Sequence, residues 1–422
     1  MVFKRTILPN GLRLITVPMK DNPSVTVMVL VEAGSKYENK NNNGVSHFLE
    51  HMVFKGTENR PITSQISYEL DGLGAQHNAF TSLEVTGYWA KIQKKYMENA
   101  FDIISDMYLN PIFPDTEIDK EKGVILGEIN LDEDMPMRNV GRIFMNLLYG
   151  DQPAGMSILG EKENIKLFTR NDFVKYRKKH YVPQSTTIVV SGSFDYEEVL
   201  KLSKEKFLPM SKGKKAPKVK VKTKQLKPKI AVKHKKTDQT HLLLGFHSYP
   251  ANHKNLTALE LLDYVLGRGM SSRLFRKLRD EMGLGYYVKS TQDSYTDHGD
   301  FSVAAGVDNA RLEEAVKAIL EECKKLKTGL IPEAELKKAK RAFVGNMYLN
   351  MEGSDDLGQF FGFQEIMRLK IKTPKEIEKE VKKVSAEDIQ KVANEIFRNN
   401  SLNLAVIGPV RNKKKLLSLL KI

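Results

Sequence analysis

The sequence predicts an α+β chain of two homologous tandem domains, each a mostly antiparallel sheet packed by helices. Three observations carry this. The order of strand-like and helix-like stretches in the first half returns in the second. Where both copies offer a landmark, the offset stays near 216 to 218 residues: Pro114 with Pro332, Thr169 with Ser385, and Gly192 with Gly408. Between the copies lies a lysine-rich stretch with almost no apolar pattern. The expected boundaries are 1–210 for the first domain, 211–229 for a Lys-rich linker and 230–422 for the second domain.

In chain order, Asn10-Gly11 favours a tight turn between two extended runs. Residues 25–31 are apolar without interruption, as in a strand buried on both faces, and Gly34 ends the run. The polar residues 36–43 read as a loop leading to a helix that opens after Asn43-Gly44. Thr63 caps a helix to residue 70 that Gly72 and Gly74 stop. Residues 75–80 and 84–92 alternate as a strand pair. Helical spacing returns over 96–109, over 115–132 with acids in the first turn, and over 140–148. Thr169 and Asp172 cap a helix to His180, and 186–191 is a strand. In the second copy, 240–246 echoes 25–31 and 255–267 echoes the helix after Gly44. Residues 286–290 and 300–305 echo the strand pair, while Ser385 and Asp388 repeat the cap before the closing strand 402–408.

The 422 residues carry a formal net charge of +15, which would suit an anionic partner if it were spread evenly. It is not. Twelve lysines and no acid lie between Lys212 and Lys236, so the rest is nearly balanced and a nucleic-acid partner is not expected. The single cysteine, Cys323, sits in an amphipathic helical pattern and fits a reducing compartment. No secretory leader is recognised and no apolar run is long enough to span a membrane, so a cytoplasmic protein is expected.

His47, Glu50 and His51 fall within roughly a 100° arc of one helix, with the imidazoles at i and i+4. Two neutral imidazoles suit Zn²⁺, and a nearby unbound carboxylate can take a proton from water on the metal. A third ligand must come from elsewhere. On the 115–132 helix, Glu121 and Glu128 lie within roughly 20° of each other, and both are candidates. The second copy has Ala339 and Asn346 at these positions and no histidine in 255–267. The acids are therefore absent where the histidines are absent.

His47-x-x-Glu50-His51, followed after 76 intervening residues by Glu128, resembles the signature of the pitrilysin and insulinase family of inverted zinc peptidases. Leu8-Pro9-Asn10-Gly11-Leu12, Phe48 to Thr57, and Val124 to Ile129 are similar to its shorter members, which include bacterial processing proteases and mitochondrial processing peptidase. The resemblance covers nearly the whole chain. It implies one Zn²⁺ per chain held by His47, His51 and Glu128, with Glu50 as general base and Glu121 fixing a zinc histidine through its other N–H. Gly127 stands where many relatives carry another acid, with little consequence expected.

From the second copy, the resemblance implies Arg279 and Tyr286 as donors to the substrate carbonyl and its oxyanion. Asn78 and Ala79 are similar to the family's edge that aligns the peptide main chain. The implied architecture is a clamshell, the implied activity zinc-dependent endoproteolysis of short or unfolded peptides, and the implied assembly a homodimer. A processing peptidase for one leader or pro-segment, and a non-catalytic structural subunit of the same fold, are the alternatives. His180, His234, His241, His247, His253 and His298 have no partner at ligand spacing and read as structural.

Overall fold

A computed structural model of the chain describes residues 2–211 and 213–422. The first of its two compact units comprises Met1–Asn130, Met156–Val219 and Tyr348–Thr373. The second comprises Leu131–Gly155, Lys220–Met347 and Pro374–Ile422.

The first unit contains strands β1 (Lys4–Ile7), β2 (Arg13–Pro18), β3 (Ser24–Val31), β4 (Gln76–Thr81), β5 (Thr86–Gln93) and β6 (Thr186–Gly192). They form one sheet in the order β1-β2-β6-β3-β5-β4, in which only the β2 and β6 pair is parallel. β3 is buried from Val25 through Val31, as its unbroken apolar run demands. Its odd-numbered residues Val25, Val27, Val29 and Val31 share a core with Phe48, Leu49, Phe101, Ile104 and Phe173. Successive strand residues point to opposite faces, so Thr26 and Leu30 face the helix Ser354–Ile366, where Thr26 bonds Ser354.

The second unit contains β7 (Lys229–His234), β8 (Gln239–Ser248), β9 (Gly285–Ser294), β10 (Gly299–Asp308) and β11 (Leu402–Gly408) in the order β7-β11-β8-β10-β9. Again one pair, β7 with β11, is parallel. This order reproduces β2-β6-β3-β5-β4 strand for strand, so the repeat read from the sequence is a repeat of topology. Cys323 is buried in the helix Leu312–Thr328. Among the described residues no helix is long and apolar enough to cross a membrane.

The compact units differ from the continuous stretches 1–210 and 230–422. The helix Pro136–Tyr149, encoded in the first half, packs on β8 and β11 of the second unit, where Phe144, Leu148 and Tyr149 meet Ala405 and Ile407. Its fit is close. A Cβ on Gly245 would lie 2.7 Å from the Phe144 ring. The helix Ser354–Ile366, encoded in the second half, packs on β2, β3 and β6 of the first unit. There Glu365 accepts from Arg5 Nε at 2.8 Å and from Arg13, and Arg368 bonds Glu32 at 2.8 Å. Sequence periodicity shows which face of a helix is apolar, yet says nothing about which sheet that face covers.

Two expected loops are also more ordered than their polarity suggests. The Lys-rich stretch, read as a solvated connector, is tied down at both ends: Lys215 pairs with Glu32 and Lys218 with Glu84 at 2.6 Å. Farther on, Lys222 N donates to Gln152 Oε1 at 2.7 Å and Gln225 Nε2 to the Leu402 carbonyl at 2.9 Å. In residues 36–43, Lys36 is fully buried against Glu84 at 2.9 Å, and Glu38 and Asn43 are buried as well. Polar residues enter an interior when each finds a partner there.

Candidate active site

His47, Glu50 and His51 lie on the helix Val45–Met52, whose other face buries Phe48, Leu49 and Met52. Phe48 packs edge-on against Phe173 with ring centres 4.9 Å apart. This apolar anchoring turns the two imidazoles toward the helix Asp115–Asp134. That helix begins after Pro114 with Asp115 and Glu117 in its first turn, where the helix dipole favours acids. Its buried stripe is Ile118, Glu121, Ile125 and Ile129, so Glu121 occupies a position that an apolar residue would ordinarily take.

His47, His51 and Glu128 each offer one ligand atom, and these atoms lie within 4.8 Å of one another. Among the described residues no other His, Cys, Asp or Glu group does so. Glu128 Oε2 is 3.6 Å from His47 Nε2 and 3.7 Å from His51 Nε2. Two ligands bound to zinc at tetrahedral angles sit about 3.4 Å apart. The donor set of two imidazole nitrogens and one carboxylate oxygen therefore fits zinc in both type and spacing.

Protonation favours the same arrangement. Burial pulls the His47 imidazole down to about 4, helped by His51, so it is neutral at pH 7 with a lone pair to give. Glu121 Oε1 is 2.8 Å from His51 Nδ1, and its Oε2 is 2.7 Å from Lys55 Nζ. Burial pushes the Glu121 carboxyl up, but the bonds from His51 and Lys55 outweigh this and hold it below its usual range. An ionised Glu121 only accepts, so His51 Nδ1 must donate, which leaves Nε2 for a metal. At His51 itself, burial lowers the pKa while the bond to Glu121 and the charges of Glu128 and Glu50 raise it further. That net rise reflects the same negative charge that draws a cation to this spot.

Replacing Glu121 by Gln keeps its shape and removes its charge. Zinc affinity should fall about 10- to 100-fold, measured by chelator competition, and an unchanged affinity would remove Glu121 from this role.

Glu50 stands beside this group without joining it. Its Oε2 accepts from Thr81 Oγ1 at 2.5 Å, and Oε1 has no protein partner among the described residues. Burial pushes the Glu50 carboxyl up, and the Thr81 bond opposes the rise only in part. Thr81 was missed in the sequence. Its one signal is its place at the end of β4, the strand that packs beside the Val45–Met52 helix.

Asn78 and Ala79 lie on β4, which pairs only with β5 and so forms the sheet's open edge. The Asn78 side chain accepts from Ala79 N at 2.9 Å, which occupies an N–H that an added strand would use. Arg279 and Tyr286 belong to the second unit. Arg279 lies on the helical segment Phe275–Glu281, with its guanidinium 5.0 Å over the Phe275 ring and no ion pair among the described residues. Tyr286 follows Gly285 at the start of the edge strand β9 and is 62% exposed. Neighbouring Tyr287 is instead held by His241 Nδ1 at 3.0 Å.

Comparison with known proteins gives a consistent picture. A family model described as Insulinase (Peptidase family M16) matches residues 13–162, and one described as Peptidase M16 inactive domain matches 167–343. An uncharacterized zinc protease of Rickettsia bellii is 34% identical, over 96% of this chain and 98% of its own length. Uncharacterized zinc protease YmxG of Bacillus subtilis is 33% identical, over 97% and 99%. The crystal structure of a protease from Helicobacter pylori matches with a TM-score of 0.90 at 25% identity, covering 97% of this chain and 100% of that one. A peptidase M16 inactive domain from Pseudomonas fluorescens, 18% identical, shares the fold at a TM-score of 0.90.

Proposed function

Because the chain belongs to the insulinase family, peptidase family M16, we propose that it is a zinc endopeptidase acting on short or unfolded peptides. His47, His51 and Glu128 would hold one Zn²⁺ per chain. The observation that carries the reading is the grouping of these three donors within 4.8 Å beside a half-buried carboxylate that is not one of them. When bound, zinc lowers the pKa of water and polarises a carbonyl.

The chain's own groups do the rest. Glu50 takes a proton from the attacking water and passes it to the leaving amine, a transfer its raised pKa favours. Thr81 holds Oε2 and leaves Oε1 as the basic atom. Glu121 keeps His51 in the Nδ1–H tautomer. Arg279 and Tyr286 supply donors to the oxygen on which negative charge develops. Asn78 and Ala79 align the substrate main chain as an added strand, once the Asn78 side chain releases the Ala79 N–H. The functional particle is a homodimer.

One experiment tests this reading. Purified protein should contain one zinc per chain, hydrolyse a random peptide mixture, lose that activity to a chelator and regain it with zinc. Light scattering of the same sample should give twice the chain mass. Zinc without hydrolysis of any peptide would point to the non-catalytic subunit, and cleavage of one precursor alone to the processing peptidase. A monomer with full activity would remove the dimer.

A further inference from the structure

The helix bearing His47, Glu50 and His51 has only eight residues, Val45–Met52, whereas an isolated helix needs roughly 12–15 to persist in water. It has to be held from outside. Its N-cap residue is Gly44, at φ 101°, which has no side chain to satisfy the first free N–H groups. A side chain there is excluded as well, since a Cβ on Gly44 would lie 2.8 Å from Gly160 Cα.

The cap comes from six residues upstream. Glu38 Oε2 accepts from Gly44 N at 2.8 Å and from Asn43 Nδ2 at 2.9 Å, while Oε1 accepts from Ser46 N at 2.8 Å. Each of these three partners donates, which suits an acceptor-only carboxylate. Glu38 is 2% exposed and has no ion pair among the described residues. A buried charge in that position is costly unless something balances it. Burial pushes the Glu38 carboxyl up, and the bonds from Ser46, Gly44 and Asn43 oppose that rise at the positive end of the helix dipole.

Two features point beyond stability. Ser46, whose N–H Glu38 takes, immediately precedes the ligand His47. The segment ahead of Glu38 is fastened to the turn between β4 and β5, with Ser35 N donating to the Ser82 carbonyl at 3.3 Å and Lys36 N to the Leu83 carbonyl at 2.8 Å. That turn directly follows Thr81, the residue bonded to Glu50. One short segment therefore grips both the start of the ligand helix and the strand end that orients the base.

We propose that Glu38 is a positioning residue of the metal centre: its carboxylate sets the Val45–Met52 helix against the strand end carrying Thr81, so that His47 and His51 stand at metal-binding spacing. This rests on the reading of His47, His51 and Glu128 as the zinc ligands.

The test measures zinc affinity by chelator competition, and the thermal midpoint of the zinc-free protein, for wild type, E38Q, E38D and F101L. Phe101 lies in the core of the same unit, on the helix Met97–Leu109 and not on the segment that caps the ligand helix, so F101L reports what lost stability alone does to zinc binding. E38Q turns an amide NH₂ toward a backbone N–H and should weaken zinc binding about 10- to 100-fold. E38D keeps the charge at shorter reach and should fall between E38Q and wild type. F101L should leave affinity near the wild-type value even with an equal fall in midpoint. Zinc binding by E38Q that is as tight as wild type, or weakened no more than in F101L of matched midpoint, overturns the proposal. If E38Q does not fold, the same comparison of E38D with F101L decides it. Wild-type protein that binds no zinc would instead overturn the ligand assignment.

Discussion

Replacing Glu50 by Gln should leave zinc bound at the wild-type level and lower kcat by about 10²- to 10⁴-fold, the usual worth of a general base. The two halves of that expectation have separate origins. Zinc stays because the grouped donors are His47, His51 and Glu128, and Glu50 is not among them. Structure stays because glutamine matches the shape of Glu50 and its amide oxygen can still accept from Thr81. Activity goes because an amide cannot take a proton, whereas burial has made the Glu50 carboxyl a stronger base than usual. Zinc content by metal analysis and kcat on one peptide check both halves. Turnover within tenfold of wild type would remove Glu50 as the base, and loss of zinc would make it a ligand.

Tyr286→Phe and Arg279→Ala should each lower kcat by about 10²- to 10³-fold, the loss typical of one oxyanion donor. Zinc content and thermal midpoint should not move. Here the surroundings make the experiment clean. Tyr286 is 62% exposed, and Arg279 has no ion pair among the described residues, so neither is a major prop of the core. A fall in kcat at constant KM would mark a contact made in the transition state, while a rise in KM alone would mark ordinary substrate binding. Arg279→Lys should recover little, because an ammonium does not reproduce the planar fork of a guanidinium.

Much of the site was legible because its signals are local. Two histidines one helical turn apart, with an acid between them, mark a candidate metal face, and Glu121 and Glu128 share one face of a single helix. The order of elements along the chain was legible because the copies repeat it, while the order of strands within each sheet was not. Thr81 and Glu38 were not. A threonine on a strand is common, and a glutamate in a polar run reads as solvated until the fold buries it against a helix end. Lys36 was misjudged for the same reason, since its partner Glu84 is remote in sequence. β7 was hidden by lysines, although Ile230 and Val232 alternate within it as a strand requires.

The exchanged helices also bear on how the two copies can change over time. One copy carries the group of His47, His51 and Glu128, and the other has no such group among its described residues, so they differ in chemistry. They cannot diverge freely in shape. The outer face of each sheet is covered by a helix written in the other half of the chain, and contacts such as Phe144 on Gly245 leave no slack. A side chain gained at Gly245 would meet the Phe144 ring from the opposite copy as well as the backbone of Phe301 and Ser302 beside it. The chain passes between the two units five times, so the Lys-rich stretch is one connection among several. Heredity therefore acts on the pair: each half supplies its own main core, but one sheet face of each is finished only by a helix from the other half.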